Sequence, residues 1–453
     1  MANKLHDGLT LNPADTLQDG SAEIPLSRLF SVKAGLSGVP GQLAFKLRRQ
    51  RLKRMSAKKR FVLRDRGSEE LLSELLEIIR EKKKQTAVLA VLAPWHEDAT
   101  LSKSEGYLRR IAEIDSRILF DFFCVYVYEC PYHRPDRIVA DRLSDTRIYI
   151  RYNADYSSQL RFAEAVIREC GVLYSHSVLR IIPNDAPEDR RRWLDIFSGD
   201  VRHILDVHGA VMEENALLGK ESENVWVKRA EELYFNHIEH ALVLTSAMRR
   251  YFEDRYECGK IIFTVTPVFS VDISGGPEEA YVKQGALSAV YSGGCQAWQN
   301  IELMQRAIRQ GAQLAEYLLF VSEPEVFGDL WGDEPMPANV RVKTGTPDEV
   351  RTAYLRAHYG FILRDDNILN RVACPTKLME YIRFGIVPVM KFAEIGDFMD
   401  LGLEYVPLEQ FMDGALPPES ERERMARTNL GIARRLEGEY ESAADKIIGI
   451  LTE

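Results

Sequence analysis

Residues 374–389 are CPTKLMEYIRFGIVPV, and this stretch decides the fold. Pro375 and Thr376 suit the start of a helix, and Gly385 suits its end, because glycine adopts the left-handed conformation at little cost. The apolar run IVPV follows at once, as expected of a short buried strand. A helix that leads directly into a buried strand predicts an α/β fold with a parallel sheet.

The same alternation extends outward over most of the chain. Helix-length segments such as SSQLRFAEAVIREC and CQAWQNIELMQRAIRQ separate short apolar runs, which predicts βαβ units. The strand candidates form two series: TAVLAVLAP, ILFDFFCVYVYE, TRIYIRY, GVLYSHS, RHILDVHGA, HALVLTS and KIIFTVTPVF in the first, and ALSAVY, AEYLLFVS, NVRVKTG, YGFILRD and IVPVMKF in the second.

The two series predict two doubly wound, Rossmann-like parallel-sheet domains that face a cleft. We place them at residues 86–270 and 286–420, with a linker at 271–285 around Gly275-Gly276-Pro277. Residues 1–85 form an N-terminal extension with a basic helical segment, and residues 421–453 form a C-terminal helical segment.

The charge of the chain is unevenly distributed. With 59 Lys+Arg and 68 Asp+Glu, the net charge is −9, which argues against a general nucleic-acid binder. Residues 46–66 contain eleven basic residues and one acid, a local net charge of +10, which leaves −19 for the remainder. A basic helix with an apolar stripe predicts docking on an anionic membrane surface. A solvated basic helix that packs on the acidic body is the alternative.

Cysteine usage and hydropathy bear on location. The six cysteines include no CxxC pair, which favours a reducing compartment and suggests no metal site. No apolar run reaches the roughly 18 residues that a bilayer span needs, and no apolar leader is evident. We expect a cytoplasmic protein, peripheral on the inner face of the membrane if the basic segment binds lipid.

Lys377 and Glu380 are candidates for ligand binding. Lys377 lies in the first turn of the predicted helix, where the helix dipole disfavours a cation unless an anion binds there. Glu380 lies one turn further along the same face, where it suits sugar hydroxyls. The pair could grip a nucleoside diphosphate, and the alternative is an ordinary surface ion pair between them.

Two further positions follow strands of the second series. Gly293 and Gly294 come after ALSAVY, where glycines let a backbone approach phosphate or sugar, although a tight turn also needs glycine. Arg364 ends the strand YGFILRD, at the edge of a parallel sheet where ligands bind. Its partner is either a diphosphate or one of its neighbours, Asp365 and Asp366.

Histidines end two strands of the first series. In RHILDVHGA, His208 suits hydrogen bonding to a substrate or a developing charge, and Asp206 suits orienting its ring. Core histidines with satisfied hydrogen bonds are the alternative. His176, in GVLYSHS, is a similar candidate for contact with an acceptor or a donor sugar.

Together, these motifs resemble a GT-B-fold glycosyltransferase, close to family 4 (glycosyl transferases group 1). The likeness covers residues 86–430 and rests on four segments in order, of which the last is the most specific: DVHGAVMEE (206–214), ALVLTSAMRRYFEDRY (241–256), YSGGCQAWQN (291–300) and LRDDNILNRVACPTKLMEYIRFGIVPV (363–389).

The resemblance implies a role for each candidate. In the second domain, Glu380 would hold the nucleotide ribose, and the rest of the donor site would comprise Gly293, Gly294, Arg364, Asn370 and Lys377. In the first domain, His208 and Asp206 would be catalytic, with His176 near the donor sugar. Two positions depart from the family pattern: Val372 stands where a second glutamate is common, and Trp298 to Asn300 where basic residues are common.

The implied activity is transfer of a sugar from a nucleotide-diphosphate sugar, foremost a UDP-sugar, to a saccharide or lipid-linked saccharide. The expected setting is surface polysaccharide or glycoconjugate assembly. No metal and no cofactor other than the donor substrate is expected. The alternatives are a sugar-nucleotide epimerase on the same fold, and a catalytically silent GT-B partner in a glycan assembly complex.

Overall fold

The computed structural model describes residues 61–63, 68–93, 106–129, 137–153, 156–178, 193–197, 199–267, 282–295, 297–332 and 335–452. The predicted basic segment at 46–66 lies outside the described residues except for 61–63, and the predicted linker lies outside them except for 282–285.

The first domain is built on a nine-stranded sheet in the order β1-β4-β5-β3-β2-β6-β7-β8-β9. Across the sheet, each pair of adjacent strands from β5 through β3, β2, β6, β7 and β8 to β9 is parallel. Strand β4 is antiparallel to both of its neighbours, β1 and β5. The strands are β1 (Phe61–Leu63), β2 (Val88–Leu92), β3 (Phe123–Glu129), β4 (Val139–Ser144), β5 (Arg147–Tyr152), β6 (Val172–His176), β7 (Arg202–Asp206), β8 (His240–Val243) and β9 (Ile262–Val265).

The predicted N-terminal extension needs correction in two places. Residues 61–63 form β1 and pair with β4, so the basic segment is not helical there. Helix α1 (Ser68–Lys83) packs against α3 (Ser157–Cys170) and β2, with Leu75 and Ile79 fully buried. Because an amphipathic helix is stabilised by burying its apolar face, α1 belongs to the core of the first domain, which therefore begins before residue 86.

Further helices lie between the strands of this domain. His208 follows β7 at the carboxyl edge of the sheet. The helices after β7 and β8 carry the contacts with the second domain. The helices are α2 (Gly106–Arg117), α4 (Val211–Leu217), α5 (Asn224–Phe235) and α6 (Ser246–Glu253).

The second domain has a six-stranded, wholly parallel sheet in the order β12-β11-β10-β13-β14-β15. The strands are β10 (Ser288–Gly293), β11 (Glu316–Val321), β12 (Val340–Lys343), β13 (Tyr359–Ile362), β14 (Val387–Met390) and β15 (Val406–Pro407). The helices are α7 (Ile301–Gln310), α8 (Pro324–Trp331), α9 (Pro347–Arg356), α10 (Ile368–Val372), α11 (Thr376–Arg383) and α12 (Leu408–Met412).

The deciding segment folds as its sequence predicts. Helix α11 begins at Thr376, and Gly385 follows its end with φ 62°, a left-handed conformation that glycine adopts without strain. Strand β14 then enters the sheet beside β13, with every residue buried. This unit places the first turn of α11 beside the carboxyl ends of the central strands.

The last helix, α13 (Glu419–Thr452), begins two residues before the predicted C-terminal helical segment at 421–453 and joins the two domains. Glu437 pairs with Arg383 of α11 at 3.0 Å, and Glu441 pairs with Arg117 of α2 at 3.2 Å. The chain therefore returns to the first domain at its end. None of the described helices combines the length and the apolar character needed to cross a membrane.

Candidate functional site

The glycine turn after β10 and the first turn of α11 meet at one point. The Nζ of Lys377 lies 3.9 Å from the centroid of the Tyr291 ring and donates to Gln299 Oε1 at 3.1 Å. A Cβ on Gly293 would lie 2.8 Å from Lys377 Cε and would overlap Nζ. Glycine lets the strand end approach the lysine this closely, and a larger residue would displace the flexible end of the Lys377 side chain.

Arg364 lies two residues beyond β13, beside the same turn. Its Nη1 donates to Asn370 Oδ1 at 3.1 Å, and Asn370 Nδ2 donates to the Asp365 carbonyl at 2.8 Å. Asn370 is fully buried, and both ends of its amide are used. In this arrangement Asn370 holds Arg364 in place, and its contact with the ligand stays a prediction.

The neighbouring aspartates do not pair with Arg364. Asp365 pairs with Lys391, and Asp366 pairs with Arg371 at 2.7 Å. The alternative in which an adjacent aspartate occupies the guanidinium is thereby excluded.

The two cations of this site lie in an environment that disfavours their charge. Loss of water around Lys377, with a smaller effect from nearby Arg364, lowers the pKa of its amine to about 7, and Glu380 opposes the shift. Desolvation also lowers the pKa of Arg364 to about 10. Across the described residues, neither side chain forms an ion pair with a carboxylate. Two adjacent cations that form no ion pair with a described carboxylate favour an anionic ligand.

Glu380 lies on the same helix but is held by a different partner. The side chain is buried, and Tyr354 Oη donates to its Oε2 at 2.8 Å. Ser292 Oγ contacts Tyr354 Oη in turn. The surface ion pair between Lys377 and Glu380, which the spacing left open, is not formed. No local pattern in the sequence points to Tyr354, because it lies on α9, 26 residues before Glu380.

Asp206, at the end of β7, is the centre of a polar cluster in the first domain. Its Oδ2 lies 3.3 Å from His176 Nδ1 and 3.2 Å from His208 Nε2. Arg110 Nη2 donates to Oδ1 at 3.1 Å, and Tyr174 Oη donates to Oδ2 at 3.3 Å. The carboxylate thus gathers groups from α2, β6 and β7.

The three predicted residues of this cluster differ in how far they are exposed. Asp206 and His176 are fully buried, whereas the His208 side chain is 10% exposed, and the contact of His176 with a sugar stays a prediction. Burial alone would raise the pKa of Asp206, but Arg110 and the imidazoles hold it well below its usual range. Burial lowers the pKa of His176 to about 4, so its ring is neutral at pH 7. Asp206 Oδ2 and His176 Nδ1 both lie 3.2 Å from His208 Nε2, so this ring is held from two sides, and its catalytic role stays a prediction.

The same three residues are the group, among those described, whose ligand atoms approach closely enough to hold a metal ion. These atoms of His176, Asp206 and His208 lie within 4.8 Å of one another. The guanidinium of Arg110 already neutralises the carboxylate and would repel a divalent cation. The donor set therefore fits hydrogen bonding better than metal binding.

The two domains meet beside both clusters. Helix α4, which begins three residues after His208, contacts α10 of the second domain, as does α6. Thr245 Oγ1 donates to the Val372 carbonyl at 2.8 Å. The Asp397 carboxylate accepts from the backbone amides of Ser246 at 2.5 Å and Ala247 at 2.9 Å. His208 and the Arg364–Asn370 segment therefore belong to facing sides of one interface.

A threonine caps the start of helix α6. Thr245 is the N-cap, and its side chain accepts from Met248 N at 2.9 Å. Ser246, the first residue of the helix, donates its backbone amide to Asp397 of the other domain.

No protein-family model matches the sequence, and no curated protein matches it. Among solved structures, the chain is similar to Anabaena HepE in complex with UDP and glucose, with 10% identity and a TM-score of 0.52 over 80% of this chain and 99% of that one. It is similar to the UDP-forming α,α-trehalose-phosphate synthase of Burkholderia vietnamiensis, with 11% identity and a TM-score of 0.51 over 81% and 97% of the two chains.

A third similar structure, the pneumococcal O-GlcNAc transferase GtfA, is matched over only 62% of its own length and 69% of this chain. Its TM-score of 0.48 and identity of 12% are too low to support an inference. The first two likenesses show that the chain has the GT-B fold, with two Rossmann-like domains, which confirms the predicted fold class. Membership of family 4 stays a prediction.

Proposed function

We propose that this protein is a glycosyltransferase that moves a sugar from a nucleotide-diphosphate sugar to a saccharide acceptor. The observation that carries the proposal is the pair of desolvated cations, Lys377 and Arg364, beside the Gly293 turn with no carboxylate partner among the described residues. A diphosphate would supply the missing charge. Helix α11 begins at the same point without a side-chain cap, so its first amides add hydrogen-bond donors for an anion.

Glu380 supports the assignment of the ligand as a nucleotide. It lies one turn beyond Lys377, and a carboxylate at that distance from a diphosphate suits the hydroxyls of a ribose. The names of both well-matched structural neighbours include UDP. We therefore propose a UDP-sugar as the donor.

The site accounts for the chemistry that sugar transfer needs. The leaving nucleoside diphosphate develops negative charge, which Lys377, Arg364 and the start of α11 would stabilise without a metal ion. His208 would hydrogen-bond the donor sugar or the acceptor from the facing domain, with its ring held by Asp206. Transfer that is lost in EDTA and restored by a divalent cation would overturn the metal-independent mechanism.

The first test is a thermal-shift panel of UDP-, GDP-, ADP- and dTDP-sugars, because a ligand that binds the folded state raises apparent stability. We expect one base to stabilise the wild type and Glu380→Ala to abolish the shift. Glu409→Ala is the matched control, because Glu409 is an exposed glutamate on α12 of the same domain. A shift that survives Glu380→Ala would refute the donor site.

A second test separates transfer from the alternatives on the same fold. Incubation with the stabilising nucleotide sugar and candidate saccharides should yield free nucleoside diphosphate and a glycosylated product. Release of an altered free sugar without an acceptor would indicate an epimerase. Donor binding without any conversion would indicate a silent binding partner.

For the acceptor, we propose a lipid-linked saccharide reached from an anionic membrane surface, in surface polysaccharide or glycoconjugate assembly. The support is the +10 charge of residues 46–66 in an otherwise acidic chain. Deletion of residues 1–60 removes most of this charge and keeps β1 paired with β4. The deletion should abolish sedimentation with anionic liposomes and leave donor binding intact. Undiminished sedimentation would refute the membrane role.

A further inference from the structure

Tyr354 connects three elements around the proposed donor site. Its ring is fully buried on α9, at 5.6 Å from the Tyr381 ring and 5.5 Å from the Phe384 ring. Its hydroxyl reaches Ser292 at the end of β10 and Glu380 on α11. The residue thus lies between the glycine turn and the carboxylate, although it belongs to neither sequence motif.

The direction of these hydrogen bonds is fixed by chemistry. Burial and the nearby Glu380 raise the pKa of Tyr354 well above its usual range, so the phenol keeps its proton. A phenol has one proton to give, and the carboxylate can only accept. Tyr354 therefore donates to Glu380 at 2.8 Å, and Ser292 donates to Tyr354. Two successive hydrogen bonds therefore connect Ser292, at the end of β10, to the Glu380 carboxylate through Tyr354.

The backbone of Tyr354 is held as firmly as its side chain. Buried Lys283 donates to the Tyr354 carbonyl at 2.9 Å and to the Phe384 carbonyl at 2.6 Å. One ammonium thus joins the end of α9 to the end of α11. Because Glu380 lies on α11, the phenol and the carboxylate keep a fixed separation.

We propose that Tyr354 is a positioning residue that sets the preference of this site for a ribose, by fixing the plane of the Glu380 carboxylate. The proposal rests on the proposed function, because it needs a nucleotide whose sugar meets Glu380. A carboxylate held by a hydrogen bond at Oε2 presents a defined edge to a pair of adjacent hydroxyls. Loss of that bond removes one restraint on the terminal torsion of Glu380, which is soft in carboxylates.

The test measures affinity for ribose and for its analogue without hydroxyls. Isothermal titration of UDP, GDP and ADP, each beside its 2′,3′-dideoxy form, gives a ribose preference for the base that binds. In Tyr354→Phe, we expect the ribonucleotide to bind on the order of tenfold more weakly, as for a lost hydrogen bond to a charged group. The dideoxy form should bind as it does to the wild type.

Two further variants make the result specific. Tyr381→Phe is the matched control, because this buried tyrosine lies beside the site but donates to the Val290 carbonyl at 3.3 Å instead of Glu380. It should keep the ribose preference. In the Glu380→Ala background, Tyr354→Phe should cause no additional loss, because both changes remove the same interaction.

The outcomes distinguish this inference from the proposed function. The inference fails if Tyr354→Phe leaves ribonucleotide affinity unchanged, or weakens both forms by the same factor, as a merely structural role would. It also fails if the wild type binds the ribonucleotide and its dideoxy form equally well. In that case the proposed donor site is not refuted. If the wild type binds none of the nucleotides, the proposed function fails and this inference falls with it.

Discussion

Lys377 and Tyr291 form a cation–π pair, with Nζ 3.9 Å from the ring centroid. The ring shields the ammonium from water on one side, and the Gly293 turn closes another. Gln299, in the segment where the resembled family commonly carries basic residues, accepts a hydrogen bond from the same ammonium. This geometry holds the amine of Lys377 at the start of α11.

The lowered pKa of Lys377 predicts that donor binding depends on pH. In the free protein, the pKa of about 7 leaves the amine mostly neutral above that pH. An anionic ligand favours the charged form, so binding takes up a proton and weakens as pH rises. Between pH 7.5 and 9, where the phosphates are already ionised, titration calorimetry should show affinity falling by up to about tenfold per pH unit.

Lys377→Arg separates this effect from other titrating groups. Arginine keeps its charge over the whole range, so the affinity of this variant should vary little with pH. A wild-type affinity that is constant from pH 7.5 to 9 would contradict the assignment.

Gly293→Ala should remove donor binding while the fold persists. The added methyl group overlaps Lys377 Nζ, so the ammonium must leave its position over Tyr291. We expect nucleoside diphosphate affinity to fall at least tenfold by calorimetry, the loss of one charge-assisted contact. Gly328→Ala on α8 is the control, because a Cβ there meets no atom within 4 Å. Equal affinity in Gly293→Ala and the wild type would refute the close approach.

Asp397→Ala should loosen the interface between the domains. The carboxylate accepts the amides of Ser246 and Ala247, which are otherwise the uncapped first donors of α6. Losing a helix cap costs about 1 kcal/mol. Hydrogen exchange at these two amides should therefore become several-fold faster.

Asp400→Ala is the control for this change. Asp400 and Asp397 line the same interdomain cavity of about 330 Å³. Of the two carboxylates, Asp397 accepts the hydrogen bonds of the first α6 amides. Unchanged exchange at Ser246 and Ala247 in Asp397→Ala would show that the contact does not join the domains.

Asp206→Asn and His208→Ala should separate stability from transfer. Asp206 and Arg110 are a fully buried ion pair, and removing one partner of such a pair costs about 3–5 kcal/mol. Urea unfolding should show that loss, whereas Asp366→Asn, in a half-exposed pair with Arg371, should cost at most about 1 kcal/mol.

His208→Ala should keep most of the stability and lose sugar transfer. Full transfer activity in His208→Ala would remove the histidine from the site.

Local patterns in the sequence predict much of this fold, because helix ends and buried strands have local signals. The bounds of α13 and the start of α11 follow from such patterns. The antiparallel strand β4 does not, because VADRLS mixes charged and apolar residues without a clear alternation. The role of α1 as part of the first core depends on its contacts with α3, which the sequence cannot display.

The site was predicted less completely than the fold. Lys377, Arg364 and Gly293 meet as expected, because strand ends of a parallel sheet lie at one edge. Tyr354 and Arg110 were missed, since their partners Glu380 and Asp206 lie 26 and 96 residues away. Contacts of that kind are set by packing of distant elements and leave no local pattern.

The most direct test of the donor site compares a nucleoside diphosphate with its monophosphate by titration calorimetry. Wild-type protein should bind the diphosphate at least tenfold more tightly, because Lys377 and Arg364 supply charge-assisted contacts to the second phosphate. Lys377→Met should lose most of that difference, whereas Lys343→Met, at an exposed lysine paired with Glu349, should retain it. Equal affinity for the two nucleotides in the wild type, or an unchanged difference in Lys377→Met, would contradict the proposed site.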